Sequence, residues 1–380
     1  MRPPNPGGGN VIPMAKIAFL MYPEPGHLMP TLGLAESLRL RGHTVFYYTT
    51  EEFRELVVGA GFQYRPMFSA LRLGPGSGDC FAVQNTGDNF MRRIVDHLLA
   101  THTGRSGLLQ LILAEMRDPD FDLLVCDIVV FGFYCGEALA EELHKPVVVL
   151  NTSLPDADYA TSLPEVVLCP RAWEIPENAD QLPNRLYGEP AIFRKRPATT
   201  FPWSEVNSNL ALVYCCFGTQ LRTYPAVRAV LTSIVDAFRR LPSHQLVMVT
   251  GNLAREECFS ALPSNVLVRA SVPQLEVLSR ASLIITHGGL GSIKEAILAG
   301  VPMLVVPFRV DQPNNACRVQ HHGLGSACAP AQCSPEKIAE LIRALLSDGT
   351  VRANVHAMGA VFRDCEAQAP VAELLGRLAS

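Results

Sequence analysis

Short, almost wholly apolar runs recur along this 380-residue chain, and each ends in a turn and gives way to a stretch with helical spacing. In the first half these runs are Lys16–Tyr22, Thr44–Thr50, Leu123–Asp127 and Pro146–Asn151. In the second half they are Leu210–Cys216, Gln245–Gly251, Val266–Arg269, Leu283–His287 and Met303–Pro307. A strand that is apolar on both faces belongs in a parallel sheet covered by helices on both sides. After the first run, Leu28, Leu32, Ala35 and Leu38 fall on one face of a helix that Gly42 ends. Thr49-Thr-Glu-Glu52 has the form of a capping box opening the next helix, and Glu137–Leu143 sits in the helix between the third and fourth strands. Two such series predict an α/β protein of two Rossmann-like, doubly wound parallel-sheet domains facing a cleft. Ligands of such sheets bind outside the carboxyl ends of the strands, so chemistry is sought in the turns that follow them.

The same pattern places the boundaries. Residues 1–13, rich in Pro and Gly, are expected to be a disordered extension, and Met14, just before the first strand, is a candidate start. The N-terminal domain is assigned to 14–186, a linker rich in Pro and charge to 187–206, and the C-terminal domain to 207–380. The helix after Pro370 is not placed by pattern and is allowed to pack back on the N-terminal domain. The Pro-rich stretch Asn151–Asn184 reads as irregular and as part of a pocket wall.

Composition excludes several classes of function. Apolar residues make up 48% and charged residues 18%, enough for a large core and against global disorder. The 32 basic and 36 acidic residues give a net charge of −4, which advertises neither nucleic acid nor an acidic membrane surface. No apolar run reaches the roughly 18 residues of a membrane span, and the expected location is the cytoplasm. Eleven cysteines without a CxxC pair read as reduced thiols that fill the core.

The densest chemistry is Thr286-His-Gly-Gly-Leu-Gly-Ser292, a strand end, a glycine-rich turn and a helix expected to begin near Ser292. A helix N-terminus offers free N–H groups and partial positive charge to a phosphate, and Gly288, Gly289 and Gly291 permit close backbone approach. Ser292-Ile-Lys-Glu295 is equally a plain capping box, and that alternative stays open. The turn is neither a Walker loop nor GxGxxG. Asp118-Pro-Asp120 and Asp156-Ala-Asp158 match the DxD spacing of metal-dependent sugar transfer, but the first precedes a strand, at the wrong end for a ligand, and both are set aside. His43, His321 and His322 read as structural or solvated.

Val272-Pro-Gln274, Thr286-His-Gly-Gly-Leu-Gly-Ser292, Glu295, Gly300-Val-Pro-Met303, Pro307, Asp311-Gln312 and Asn315, in that order, resemble the nucleotide-sugar signature of family-one UDP-glycosyltransferases of GT-B fold, the bacterial macrolide-type branch included. Pro25-Gly-His27 with Pro30 resembles the family's N-terminal motif, and Tyr187-Gly-Glu-Pro190 and Cys216-Phe-Gly-Thr219 resemble the segments flanking its linker. The resemblance implies that Val272 and Gln274 hold the base, that Thr219, His287, Gly289 and Ser292 hold the pyrophosphate, that Glu295 accepts from ribose hydroxyls, and that Asp311 and Gln312 read the sugar. It makes His27 the catalytic base, with Asp127 as its partner. A neutral His takes the proton of an attacking hydroxyl, and a carboxylate fixes its tautomer.

The implied activity is inverting transfer of a hexose, glucose by the choice of Gln312, from a UDP- or TDP-sugar to a hydroxyl of an apolar small molecule. No cofactor, no metal and no nucleic-acid partner are implied. Three positions depart from the family: Cys216 stands where Ser is frequent, Ser271 where the plant branch has an aromatic, and the Asp127–Tyr187 interval is short. Acceptor contacts are expected from the loops Phe68–Phe90 and Asn151–Asn184, with Phe81, Phe90, Phe131 and Phe133 as candidate lining. A nucleotide-sugar epimerase and a non-catalytic nucleotide-sugar-binding protein are the competing readings.

Overall fold

The strands of the first half are β1 (Lys16–Leu20), β2 (Thr44–Thr49), β3 (Gln63–Pro66), β4 (Leu123–Asp127), β5 (Val147–Asn151), β6 (Glu165–Val167) and β7 (Arg185–Tyr187). They hydrogen-bond in the order β3-β2-β1-β4-β5-β6-β7. The second half contributes β8 (Ala211–Cys216), β9 (His244–Val249), β10 (Val266–Arg269), β11 (Leu283–Thr286), β12 (Met303–Val305) and β13 (Gly325–Ala327), ordered β10-β9-β8-β11-β12-β13. Every neighbouring pair is parallel. The computed structural model describes residues 14–68, 104–116, 119–128, 131, 133–152, 161–179, 185–196, 199–256, 259 and 261–380. Residues 1–13, 69–90 of the first expected acceptor loop, with Phe81 and Phe90, and 153–160 and 180–184 of the second lie outside them.

The helices are α1 (Pro25–Leu40), α2 (Arg54–Gly59), α3 (Gly104–Glu115), α4 (Phe133–Leu143), α5 (Pro176–Ala179), α6 (Val227–Phe238), α7 (Gln274–Leu278), α8 (Leu290–Ala299), α9 (Gln312–His321), α10 (Pro335–Ser347), α11 (Gly349–Gln368) and α12 (Pro370–Leu378). Strand side chains alternate between two buried layers. Ile17 and Phe19 pack with Leu28, Leu32, Ala35 and Leu38 of α1, while Ala18 and Leu20 pack with Leu108, Ile112 and Leu139 on the opposite face. The second sheet repeats the scheme, Cys215 and Leu246 facing α6 and α10, Tyr214 and Val247 facing α8 and α9. This double burial is why nine strands are predominantly apolar.

Each sheet reverses its order once, between β1 and β4 and between β8 and β11. At such a switch point the loops leaving adjacent strand ends go to opposite sides and open a crevice. The turns after β1, β4, β8 and β11 are therefore the natural positions for a site.

Two sequence expectations are corrected. The Asn151–Asn184 stretch is not wholly irregular, because β6 runs through it and β7 follows at once. Glu165 and Arg185, directly opposite in the ladder, form a buried pair at 2.9 Å, and Asn151 Nδ2 donates to the same Glu165 oxygen at 2.6 Å. The polar look of these strands hides an internally satisfied cluster. Thr49-Thr-Glu-Glu52 makes no capping box either: Thr50 precedes a short 3₁₀ turn, Glu51–Phe53, without a side-chain cap bond.

Buried polar contacts join the two halves. Glu174, after β6, meets Arg318 of α9 through two bonds of 2.7 and 2.9 Å, with side chains 1% and 4% exposed. Lys294 of α8 donates from Nζ to the carbonyls of Leu168 (2.9 Å) and Pro190 (2.7 Å), and burial lowers its pKa to about 8. Val167, Cys169 and Trp173 pack into the core layer under α8 and α9. Finally, α12 returns to the N-terminal half, where the Glu189 carboxylate accepts from Val371 N (2.8 Å) and Ala372 N (3.0 Å) at its first turn and Leu375 packs in the α1 layer. A carboxylate there satisfies free N–H groups and complements the helix dipole.

Removing one member of a buried pair strands the other, which costs about 3–5 kcal/mol, whereas an exposed pair is worth about 1 kcal/mol or less. Glu174→Ala is therefore expected to lower the urea midpoint markedly, and Arg194→Ala, which breaks an exposed pair with Glu366, to leave it nearly unchanged.

Candidate active site

His27 lies in the first turn of α1, directly after β1, and Asp127 is the last residue of β4. The sheet sets these two strands side by side, so residues 100 apart in sequence become neighbours. His27 Nδ1 is 2.8 Å from Asp127 Oδ2, and Thr152 Oγ1, just beyond β5, is 3.1 Å from the same nitrogen. A carboxylate accepts only, so Nδ1 carries the proton and Nε2 is the nitrogen left to act as a base. Asp127 is fully buried and the His27 side chain is 16% exposed. Burial works against charging His27, but the charge and hydrogen bond of Asp127 outweigh it, Glu24 and Asp311 add to them, and the pKa rises to about 8. The Tyr22 ring meets the imidazole edge-on at 5.2 Å.

The second switch point faces this one with a different histidine. His287 follows β11, and its ring is wedged between the loop after β8 and the start of α8. A Cβ on Gly218 would come within 2.7 Å of the His287 ring and one on Gly289 within 2.5 Å, so both positions are held to glycine by that ring. Tyr224 stacks on it at 5.9 Å. Burial drives the His287 pKa down to about 4, which keeps this imidazole neutral where His27 is charged. Thr219 lies one residue beyond Gly218, on the loop against the ring. Helix α8 starts at Leu290 with Gly289 as its N-cap, two residues earlier than expected, so Ser292 sits inside the first turn and makes no cap bond.

The Asp311 carboxylate closes the arrangement. Its Oδ2 accepts from Asn315 Nδ2 at 2.8 Å, and Asn315 also donates to the Gly288 carbonyl at 2.9 Å. Burial raises the Asp311 pKa to about 6, against which its hydrogen bonds and the charge of His27 pull down. Catalytic-type groups from both domains thus share one electrostatic environment.

Comparison with known proteins agrees with this geometry. Residues 234–378 match the family model described as Erythromycin biosynthesis protein CIII-like, C-terminal domain. The chain is 27% identical over 380 residues to the NDP-glycosyltransferase YjiC of Bacillus subtilis (strain 168), covering 90% of this chain and 92% of that protein. It is 26% identical to the demethyllactenocin mycarosyltransferase of Streptomyces fradiae, over 97% of this chain and 87% of that one. Among solved structures, the glycotransferase of kitacinnamycin superposes with a TM-score of 0.77 at 23% identity, over 96% of this chain and 99% of the other, and has the same GT-B fold. Together these matches support a family-one glycosyltransferase.

Within this glycosyltransferase the structure places the remaining motif residues as follows. Val272 and Gln274 flank Pro273 in the turn from β10 to α7. Gln274 Nε2 donates to Glu295 Oε2 (2.6 Å) and its Oε1 accepts from Tyr214 OH (3.0 Å). Glu295 is buried, and its other oxygen is taken by Arg196 of the linker; Ser292 and Glu295 do not cap α8 as a box. Gln312 is anchored inside the protein. Its Oε1 accepts from the backbone N–H of Phe308 (2.8 Å) and Arg309 (3.1 Å), and its Nε2 donates to Tyr224 OH (3.2 Å).

Three neighbours went unread in the sequence. Thr152, Tyr224 and Arg196 each bond to or stack on a motif residue, but a lone Thr or Arg in a polar stretch carries no signal of it, and Asn315, quoted in the motif, had no role assigned. Asp120 pairs with Lys16 at the amino end of β1, away from the site, while Asp118, Asp156 and Asp158 lie outside the described residues. His322 bonds the Trp173 carbonyl at 2.9 Å and stacks on that ring, a structural use. His43 is buried and takes the Ala15 N–H. Phe131 stacks on Phe68 within the core, and the Phe133 side chain lies outside the described residues.

The two site histidines should titrate far apart. In an NMR titration of the ring protons, His27 is expected to change near pH 8 and His287 to remain neutral down to about pH 5. Asp127→Asn removes the main counter-charge, burial is then opposed only by the smaller effects of Glu24 and Asp311, and the His27 midpoint falls below 6.5.

Proposed function

We propose that the protein transfers a sugar, with inversion, from a UDP- or TDP-linked donor to a hydroxyl group of an apolar small molecule, with His27 as general base. The observation that carries this reading is the His27–Asp127 dyad standing at one switch point, opposite a glycine-rich helix N-terminus at the other. Asp127 holds the Nδ1 proton, and Nε2 takes the proton of the acceptor hydroxyl as its oxygen attacks the anomeric carbon. The bond from that carbon to the diphosphate oxygen breaks, and its electron pair leaves with the diphosphate. The free N–H groups at the start of α8 stabilise the departing charge. No protein atom lies within 4 Å of a Cβ built on Gly291, so the fold makes no demand for glycine there, and close approach of a phosphate supplies one. A single displacement at the anomeric carbon inverts it.

Because protein groups supply the charge stabilisation, we infer that no metal is needed. A hexose fits the family pattern, and glucose rests on Gln312 alone, whose anchored amide keeps one N–H for a sugar hydroxyl. An epimerase would require acid–base carboxylates around the sugar, and a pure binding protein would have no use for a buried Asp127 holding an imidazole.

Two measurements test the reading. UDP or TDP at about one hundred times its dissociation constant should stabilise the protein by about 2.7 kcal/mol, a rise in melting temperature that persists in EDTA. His27→Ala should keep that rise while slowing transfer by about 100-fold or more, the scale of a lost general base. Unchanged transfer in this variant would remove His27 from the mechanism.

A further inference from the structure

Arg196 belongs to the linker, yet its side chain ends in the donor half of the site. Its Nη2 pairs with Glu295 Oε1, and its Nε donates to the Phe193 carbonyl at 3.1 Å, which fixes the direction of the guanidinium. Gln274 holds the other oxygen of Glu295, and Tyr214 holds Gln274. Glu295 therefore meets a nucleotide with both carboxylate oxygens engaged, in a setting where its side chain is 7% exposed.

A ribose presents two adjacent hydroxyls, and a carboxylate binds such a pair best when each oxygen takes one. A deoxyribose presents a single 3′-hydroxyl and needs only one acceptor position. A charge-assisted bond from Arg is stronger than a bond from a neutral hydroxyl, so a second hydroxyl gains little by displacing Arg196. Resting on the reading that Glu295 faces the sugar of the nucleotide, we propose that Arg196 is a specificity-determining residue. By holding Glu295 Oε1 it suppresses recognition of the 2′-hydroxyl, so the site accepts 2′-deoxynucleoside diphosphate donors as readily as ribonucleoside ones. Nothing in the signature motifs of the C-terminal domain encodes this, because the controlling residue comes from the connection between the domains.

Calorimetric titration of the full chain with UDP and with 2′-deoxy-UDP, which differ by one hydroxyl, tests the proposal. The native protein is expected to bind the two within about twofold of each other. Arg196→Met frees the Glu295 oxygen and is expected to shift the ratio about tenfold toward UDP, the effect of one hydrogen bond to a charged group. Should that variant not fold, Arg196→Gln keeps a donor for the Phe193 carbonyl, drops the charge and carries the same test. A native protein that already favours UDP tenfold, or a neutral variant whose ratio does not move, overturns the role of Arg196. Failure of the native protein to bind either nucleotide instead overturns the donor-site reading on which the proposal rests.

Discussion

The buried contact between Glu174 and Arg318 is the constraint on which the rest of the arrangement hangs. It joins the end of the first sheet to α9 of the second, and it does not stop there. Arg318 Nη1 donates to Asn315 Oδ1 at 3.3 Å, and the Asn315 amide in turn holds both the Asp311 carboxylate and the Gly288 carbonyl. One chain of polar contacts thus runs from the domain interface to the glycine-rich turn and to the carboxylate that shares a field with His27. Burying this much charge stabilises little compared with an apolar contact of the same size. What it supplies is a defined position of one half-site relative to the other, and the Lys294 bonds to Leu168 and Pro190 fix the same relation from α8.

Given that frame, two histidines of the same type acquire opposite properties from their surroundings. Both are largely removed from water. His27 has the Asp127 carboxylate at 2.8 Å and is pushed up to about 8, while His287 has glycine backbone and Tyr224 around it and is pushed down to about 4. The first is built to hold a proton and the second to remain neutral beside a diphosphate. Separate pKa values for like groups within one cleft are a usual mark of a working site.

Much of this was legible in the sequence. The nine apolar strands could be read because all but the edge strand β10 are buried on both faces, and the doubly wound order followed from their alternation with helices. The strands that escaped were short and of mixed polarity. Gln63-Tyr-Arg-Pro66 lies at an edge, Gly325-Ser-Ala327 is half-exposed at the other sheet's edge, and β6 and β7 carry the Glu165–Arg185 pair in place of apolar side chains. The motif residues were found in order, but not what each one touches. Gln312 is anchored by the Phe308–Arg309 turn and Tyr224, and Glu295 is shared with Arg196, 99 positions away. Glu174 and Arg318 are 144 positions apart, and neither residue stands out in its own segment. Periodicity reports burial along one element; it is silent about which polar groups meet across two.

The account stands or falls on the ionisation of His27. Below a pH of about 8 the free protein holds His27 protonated and unable to accept a proton, and above it the neutral base is available. The most direct test is the pH dependence of kcat/KM for sugar transfer in the native protein and in Asp127→Asn. A rise with pH to a plateau, with a midpoint near 8 that moves below 6.5 in the variant as the rate itself falls, is the predicted result. A profile with no ionisation between pH 6 and 9, or one that Asp127→Asn leaves in place, would contradict it.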